Sequence, residues 1–502
     1  MQIAIIGSGF GGIGTAIRLK QAGFDDFVIF ERAADVGGVW RDNTYPGCAC
    51  DVQSHLYSLS FVPNPDWTSS FSPQSEIWDY LRRCARDYGL LPHLRFEHMV
   101  NEATWESDAQ RWRIETSGGT WRAAVLVSAA GSFSEPKLPQ LPGLETFKGA
   151  MFHSSRWNHQ FDLNQRRVAV IGTGASAIQF VPEIQPLVER LHVFQRTAPW
   201  IVKRHDRPFA RVEREFFRRF PLAQRLIRGA IYSFRELVGF AFRHPWAMRF
   251  LQPLARRHLR RSVSDPVLRA KLTPQYMMGC KRILISNDYL PALAQPNVEL
   301  VTDGIAEVRE RSIVGKDGSE RAVDAIIFGT GFHVTDFPFS SRVRGRDGRT
   351  LNEVWAGSPQ ALAGTTVTGF PNLFLLPGPN TGLGHSSVVY MLEAQIEHVL
   401  GALSYMRQHG IATIEARAEA QAAYVAEVDK RMRGTVWTSG GCLSWYLDST
   451  GRNSTLWPTP SWSFRRRVAR FSPREYRSVY ADTANAAITT AADPARSLAL
   501  DS

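Results

Sequence analysis

The chain has 502 residues, of which 44% are hydrophobic and 21% charged, and carries a formal charge of +12. That balance excludes a disordered or fibrous protein, and the length exceeds one hydrophobic core and suits two or three domains. The charge invites nucleic acid as a partner, but the basic residues do not gather into a recognised binding module. No nucleic-acid partner is therefore expected, and the surface reads as solvated and attractive to an anionic cofactor.

The first element is a short apolar run, Ile3 to Ile6, as a buried parallel strand requires. Gly7, Gly9 and Gly12 follow as G-x-G-x-x-G, and Ile13, Ile17 and Leu19 begin a helix that ends near Gly23. A second apolar run, Phe27 to Phe30, ends in Glu31, nineteen residues after Gly12. Strand, loop, helix, strand and acid in this register make a dinucleotide site. The glycines admit a pyrophosphate, the helix N-terminus supplies partial positive charge, and the acid takes ribose hydroxyls. A carboxylate would repel a 2′-phosphate, so this site is assigned to FAD rather than NADPH.

Gly37 and Gly38 next allow a tight approach to the cofactor, and Trp40 is placed to shield it. Residues 72–91 carry a helical pattern, and Phe96 to Val127 alternate as short strands, a meander returning to the main sheet. Pro136, Pro139 and Pro142 mark a linker. In FKGAMFHSSRW a helix would put His153 and Trp157 on one face, but Gly149 inside it would be unfavourable, so the stretch reads as an interdomain connector.

Arg167 to Ile171 is another apolar strand, followed by Gly172, Thr173, Gly174, Ala175 and Ser176, with Ala177 in place of the third glycine. That third position governs helix–strand packing and tolerates Ala. The next strand ends in Arg196, followed by Thr197, where the first unit has Glu31. An Arg accommodates a 2′-phosphate, so the second site is assigned to NADPH.

Residues 205–270 are helical, basic and amphipathic. They read as a helical subdomain packing its apolar faces internally, in preference to a membrane-surface patch. MGCKRILISNDYLPAL places Lys281 and Arg282 on a loop entering a strand, and DAIIFGTGF is a strand with a glycine turn. The stretch from Asn372 to Leu400 reads as strand, polar glycine loop and long helix. It would let Asn380, Thr381 and Gly382 aim N–H groups at a flavin from the helix N-terminus. His385 reads as a structural histidine rather than a general base. After about Thr483 an Ala- and Thr-rich tail is expected to be disordered.

Five scattered cysteines without framework spacing argue for reduced thiols and a cytoplasmic location, and no metal site is expected. The first strand begins almost at Met1, so no signal peptide is expected, and no apolar run approaches the length of a membrane span.

Phe147, Gly149, His153 and Trp157 form F-x-G-x-x-x-H-x-x-x-W, which resembles the fingerprint of Baeyer–Villiger monooxygenases, flavin- and NADPH-dependent enzymes of class B. The resemblance extends through VGGVW, YPGCACDVQSHLYSLSF, the Lys281–Arg282 segment and GCLSWYLDSTGRNSTLWP, over residues 2–470. It departs at Ala49, where the family often has Arg, and at Asn158, where it has Pro or Asp.

The resemblance implies an α/β fold of two Rossmann-like domains with a helical insertion. The FAD domain would take 1–140 and 336–482, the NADPH domain 141–204 and 275–335, the insertion 205–274, and the tail 483–502. It implies that Phe10, Gly11, Gly38, Val39, Trp40, Tyr57 and Val100 line the FAD site, and that Asp51 sits by the flavin and holds a catalytic Arg. Lys281 would bind the phosphate of the nicotinamide nucleotide, Arg282 would be the essential cation, and His153 would couple domain movement. The implied activity is insertion of one atom of dioxygen beside the carbonyl of a small-molecule ketone, through a flavin peroxide, giving an ester or lactone. Oxidation of sulfides or amines, or plain NADPH oxidation, are the alternatives.

Overall fold

A computed structural model describes residues 1–481; the tail at 483–502 lies outside the described residues. In chain order the framework is β1 (Ile3–Ile6), α1 (Phe10–Gln21), β2 (Phe27–Phe30), β3 (Leu94–Arg95), β4 (Val125–Ser128), β5 (Ala150–His153) and β6 (Arg167–Ile171). There follow α2 (Ala177–Ile184), β7 (Arg190–Phe194), α3 (Arg211–Arg219), α4 (Pro221–Arg243) and α5 (Pro245–Ser262). The chain returns through β8 (Val298–Val301), β9 (Ala325–Phe328), β10 (Leu373–Leu375) and α6 (Val388–His409).

The first sheet has the order β10–β4–β1–β2–β3, all parallel. Its strands are apolar end to end because both faces are covered. Ile3 and Ile5 pack with Ile13 and Ile17 of α1 and Ile396 of α6. Ala4 and Ile6 face the other way, into a cluster with Val28, Trp105 and Trp112. The two tryptophans come from an antiparallel meander, Val100–Glu106, Arg111–Thr116 and Gly119–Ala123, that covers that face.

The second sheet, β8–β7–β6–β9–β5, is also parallel throughout. Here the expectation of a connector at Phe147–Trp157 is corrected, because Ala150–His153 is the edge strand β5, paired with β9. The fingerprint spacing then has a local cause. A Cβ on Gly149 would lie 2.5 Å from the Phe147 ring and 2.4 Å from the Asp324 carbonyl oxygen, so the ring folds over a residue that must lack a side chain. His153 ends the strand edge-on to Phe332, with ring centroids 5.4 Å apart. After a one-turn 3₁₀ helix, Trp157 packs on Phe152 and on Phe180 of α2 at 5.1 and 5.3 Å.

The helices α3–α5 leave the chain between β7 and β8. One face of α4 packs inward through Gln224, Gly239, Ala241 and Phe242, while its opposite face is exposed. Among the described residues no helix is long and apolar enough to cross a membrane.

Three buried histidines predict how stability follows pH. Burial pushes His55, His153 and His398 down to about 4 from the usual 6.5. Below 6.5 the unfolded chain therefore binds protons that the folded chain refuses, and stability falls as pH drops from 6.5 towards 4. Each group contributes up to about 1.4 kcal/mol per pH unit in that window. Urea midpoints should fall steadily from pH 7 to pH 4.5, and a flat profile would contradict the neutral burial of these rings.

Candidate active site

Each sheet reverses its strand order beside its central strand, and ligands of open α/β sheets bind outside the carboxyl ends of strands at such a point. In the first sheet the reversal lies between β1 and β4, where the glycine loop after β1 meets the chain leaving β4. Gly7 has φ +93°, and a Cβ there would lie 2.6 Å from the Ala129 carbonyl oxygen. The second sheet repeats this between β6 and β9: Gly172 has φ +110°, and its Cβ would lie 2.4 Å from the Gly329 carbonyl oxygen. The two glycine loops are thus two crevices of one design.

In the first crevice, Glu31 at the end of β2 accepts hydrogen bonds from the Ser8 N–H at 3.1 Å and the Ser8 hydroxyl at 2.6 Å. Its other oxygen accepts from the Ala33 N–H at 3.0 Å and pairs with Arg41 at 2.9 Å. A ribose hydroxyl would compete with the Ser8 hydroxyl for this carboxylate. The Gly37 N–H donates to the Ser8 carbonyl, and a Cβ on Gly9 would point at the Gly38 Cα, 3.7 Å away. The two glycine backbones pack closely, and a Cβ on Gly38, where φ is +54°, would come within 3.2 Å of the Gly9 Cα. Gly38 leads into a short helix, Val39–Asp42, whose Trp40 donates its indole N–H to the Tyr57 hydroxyl at 3.2 Å. Phe10 and Trp40 both stand edge-on to Tyr57. Gly11 and Gly12 are buried at the start of α1, and Val100 is buried among Ile6, Val28 and Phe30.

Asp51 and Arg282, 231 residues apart, form a bidentate pair: Arg282 Nε and Nη2 donate to the carboxylate at 2.8 and 2.6 Å. Both side chains are half-buried, at 24% and 30% exposed. The charge of Asp51 raises the Arg282 guanidinium further above its usual range. Burial alone would raise the Asp51 carboxyl, but the charge and hydrogen bonds of Arg282, with help from Arg235, hold it below its usual value. The pair is therefore fixed as an ion pair, a cation held in one orientation.

In the second crevice, Gly174 and Ala175 are exposed at the start of α2, and the Thr173 hydroxyl lies 3.5 Å from the Thr197 carbonyl. Arg196 is exposed at the end of β7. The Lys281 ammonium stands 5.1 Å from the centre of the Tyr276 ring, and its pKa is lowered by burial and then by the charge of Arg196. Two cations that repel each other, neither in an ion pair among the described residues, suit a polyanion.

Residues 1–234 match the family model described as flavin-binding monooxygenase-like. A Baeyer–Villiger monooxygenase of Streptomyces coelicolor is 51% identical over 482 residues, covering 95% of this chain and 92% of that protein. The chain belongs to the Baeyer–Villiger monooxygenase family. A second member, from Pseudomonas aeruginosa, is 50% identical over 95% of this chain and 91% of its own length. Among solved structures, cyclohexanone monooxygenase from Rhodococcus sp. Phi1 bound to NADP+ superposes with a TM-score of 0.85 at 28% identity, covering 96% of this chain and 99% of that one. The OTEMO complex with FAD and NADP gives 0.87 at 27% identity, covering 95% and 99%.

Two expectations need correction in this family member. The helix after the glycine loop begins at Val388 with Ser387 as its N-cap, so Asn380 and Thr381 do not sit at a helix N-terminus. The Asn380 N–H donates to the Ser454 carbonyl, and its side-chain amide donates to the Asn453 and Leu456 carbonyls and accepts from Arg452. The Gly382 N–H donates to the Thr455 carbonyl. These bonds fasten Asn380 and its loop to residues 453–456, so its expected contact with the cofactor would come from this loop and not from a helix N-terminus.

Cys280 and Cys442 are joined in a disulfide, which leaves Cys48, Cys50 and Cys84 as the free thiols. The expectation of five reduced cysteines fails because residues 162 apart in sequence meet beside Lys281. The cysteine argument for a reducing compartment falls with it.

Several residues of this site escaped the sequence reading. Arg235 of α4 donates to the Asp51 carbonyl at 3.2 Å and to Gln53 at 2.8 Å, placing a second buried cation behind the pair. Among the described residues the buried Tyr446 hydroxyl has no partner, and it feels the charges of Arg282 and Asp51. Glu236 of α4 lies 3.1 Å from His385, the histidine expected to be structural, and also accepts from the Ser461 hydroxyl. Only Arg235 had a readable signal: it falls on the inward stripe of α4, seven residues after Arg228 and eleven after Gln224.

Proposed function

We infer that this chain is an FAD-dependent, NADPH-consuming monooxygenase that inserts one atom of dioxygen beside a ketone carbonyl, giving an ester or lactone. The observation that carries the reading is the bidentate Asp51–Arg282 pair in a chain with two switch-point crevices, one ending in an acid and the other in Arg196 with Lys281 nearby. The closely packed glycines Gly9 and Gly38 and the Tyr446 hydroxyl, without a partner among the described residues, fit a flat, polar cofactor.

Under this reading Gly7, Gly9 and Gly11 shape the turn that receives the FAD pyrophosphate, Gly12 packs the helix on the strand, and Phe10, Glu31, Val39, Trp40, Tyr57, Val100, Asn380 and Thr381 lie around the cofactor. Gly172, Thr173, Gly174, Ala175, Ser176 and Thr197 receive NADPH, and Arg196 with Lys281 holds its 2′-phosphate. When bound, the flavin takes electrons from NADPH and activates dioxygen. Arg282 presents a fixed cation where negative charge grows on oxygen, and such preorganised charge lowers a barrier more than a mobile one. Asp51 keeps the guanidinium plane in place, and Arg235 stops Asp51 from neutralising the local field. Glu236 of α4 joins His385 to Ser461, a structural role for the histidine. The division into FAD domain (1–140, 336–482), NADPH domain (141–204, 275–335) and insertion (205–274) follows the two sheets and α3–α5.

The test is turnover with FAD, NADPH and air against a panel of ketones and sulfides, with peroxide followed alongside. Ester or lactone from a ketone is expected; sulfoxide alone or peroxide alone would overturn the reading.

A further inference from the structure

The insertion carries a surface that the site does not use. Helices α3–α5 contain thirteen Arg and three Glu, and neither Lys nor Asp. Of the twenty-six large hydrophobic side chains exposed among the described residues, twelve fall between Val212 and Leu254. They are ordered rather than scattered. On α4, Leu222, Leu226, Phe234 and Leu237 follow helical spacing on the face opposite Gln224, Gly239 and Phe242. On α5, Trp246, Phe250 and Leu254 repeat every four residues and are 59%, 75% and 62% exposed. Phe240 touches Trp246 at 6.0 Å, and Trp246 lies 6.3 Å from Phe250, so the two stripes join into one patch. A monomer surface rarely shows so many contiguous apolar side chains without a partner.

The rim of the patch is cationic. Arg225, Arg249, Arg256, Arg257 and Arg260 are exposed, and among the described residues none has a carboxylate within ion-pair distance. Arg218, by contrast, is paired with Asp66 and Glu215. Across α3–α5 the one exposed acid is Glu215.

We propose that this face docks on an anionic lipid bilayer, with the stripes of α4 and α5 in the headgroup–acyl boundary and the arginines on lipid phosphates. Charge decides the occupant. A second copy of the chain would bring arginines against arginines with one Glu to answer them, whereas an anionic bilayer offers phosphate at the rim and hydrocarbon beneath the stripes. The helices lie on the surface and do not cross it, since none is long and apolar enough to span. The inward face of α4 carries Arg235 to the Asp51 carbonyl, so the docked surface and the site stand on opposite sides of one helix.

The test is flotation of the full chain with vesicles of phosphatidylcholine alone and of phosphatidylcholine with phosphatidylglycerol. The readout does not depend on turnover. About ten-fold more protein is expected with the anionic vesicles, falling to the neutral level in high salt. A variant with Leu226→Glu, Leu237→Glu and Phe250→Glu, all at exposed positions, should keep its circular dichroism and lose flotation. Arg249→Glu with Arg257→Glu should lose it as well. Equal recovery with both vesicle types, no flotation of the wild type, undiminished flotation of the folded triple variant, or a dimer by light scattering that the triple variant splits would each overturn the proposal.

Discussion

Replacing Arg282 by Ala will cut oxygenated product by about 10²–10³-fold while leaving flavin reduction by NADPH intact. Among the described residues the Arg282 guanidinium bonds to Asp51, at 2.6 and 2.8 Å, and not to the glycine loops. Losing a preorganised charge of this kind costs about 10²–10³ in turnover. The variant leaves Asp51 without its fork. Breaking a buried pair costs at most about 3–5 kcal/mol, and less here because a quarter to a third of each side chain is exposed. Arg235 still faces Asp51, so the fold should survive with a lowered melting temperature. Arg282→Lys restores a charge without a planar fork and should recover only part of the activity. Stopped-flow reduction beside product analysis separates the two half-reactions. Unchanged ester formation in Arg282→Ala would contradict the assignment, and lost reduction would mean that the residue serves nucleotide binding instead.

The second large effect is on nucleotide choice. Arg196→Glu should raise KM for NADPH by about 10- to 100-fold, the usual worth of one charged hydrogen bond, and leave NADH nearly unaffected. Lys281→Ala should act in the same direction, because the Lys281 ammonium, lowered in pKa by burial, also lies close enough to feel the charge of Arg196. Together they should remove the preference for the phosphorylated nucleotide, read as the ratio of kcat/KM values. An unchanged ratio in Arg196→Glu would place the 2′-phosphate elsewhere.

What could be read from the chain and what could not divides along sequence distance. The two crevices were legible because everything they need is local: strand, glycine loop, helix and the residue closing the next strand fall within thirty-one residues, from Met1 to Glu31. Arg196 was legible for the same reason. The Asp51–Arg282 pair was reached through family resemblance, since no spacing rule joins residues 231 apart. Arg235 was missed because its helix shows arginines on both faces, and its helical spacing from Gln224 and Arg228 gains meaning once one face is known to pack inward. The same ambiguity hid the exposed stripes of α4 and α5, whose period is equally that of a buried helix. The helix start was placed too early at Asn380, because the loop that precedes Val388 is held by bonds to a segment seventy-three residues later, which no local pattern shows. The Cys280–Cys442 pair joins parts of the chain that only the folded C-terminal segment brings together.

The most direct measurement is aerobic turnover of the flavin-loaded protein with NADPH and a ketone under isotopically labelled dioxygen, with products read by mass spectrometry. The account predicts an ester or lactone carrying one labelled oxygen, formed in step with NADPH consumption. NADPH consumed with peroxide as the sole product, or an ester without label, would contradict it.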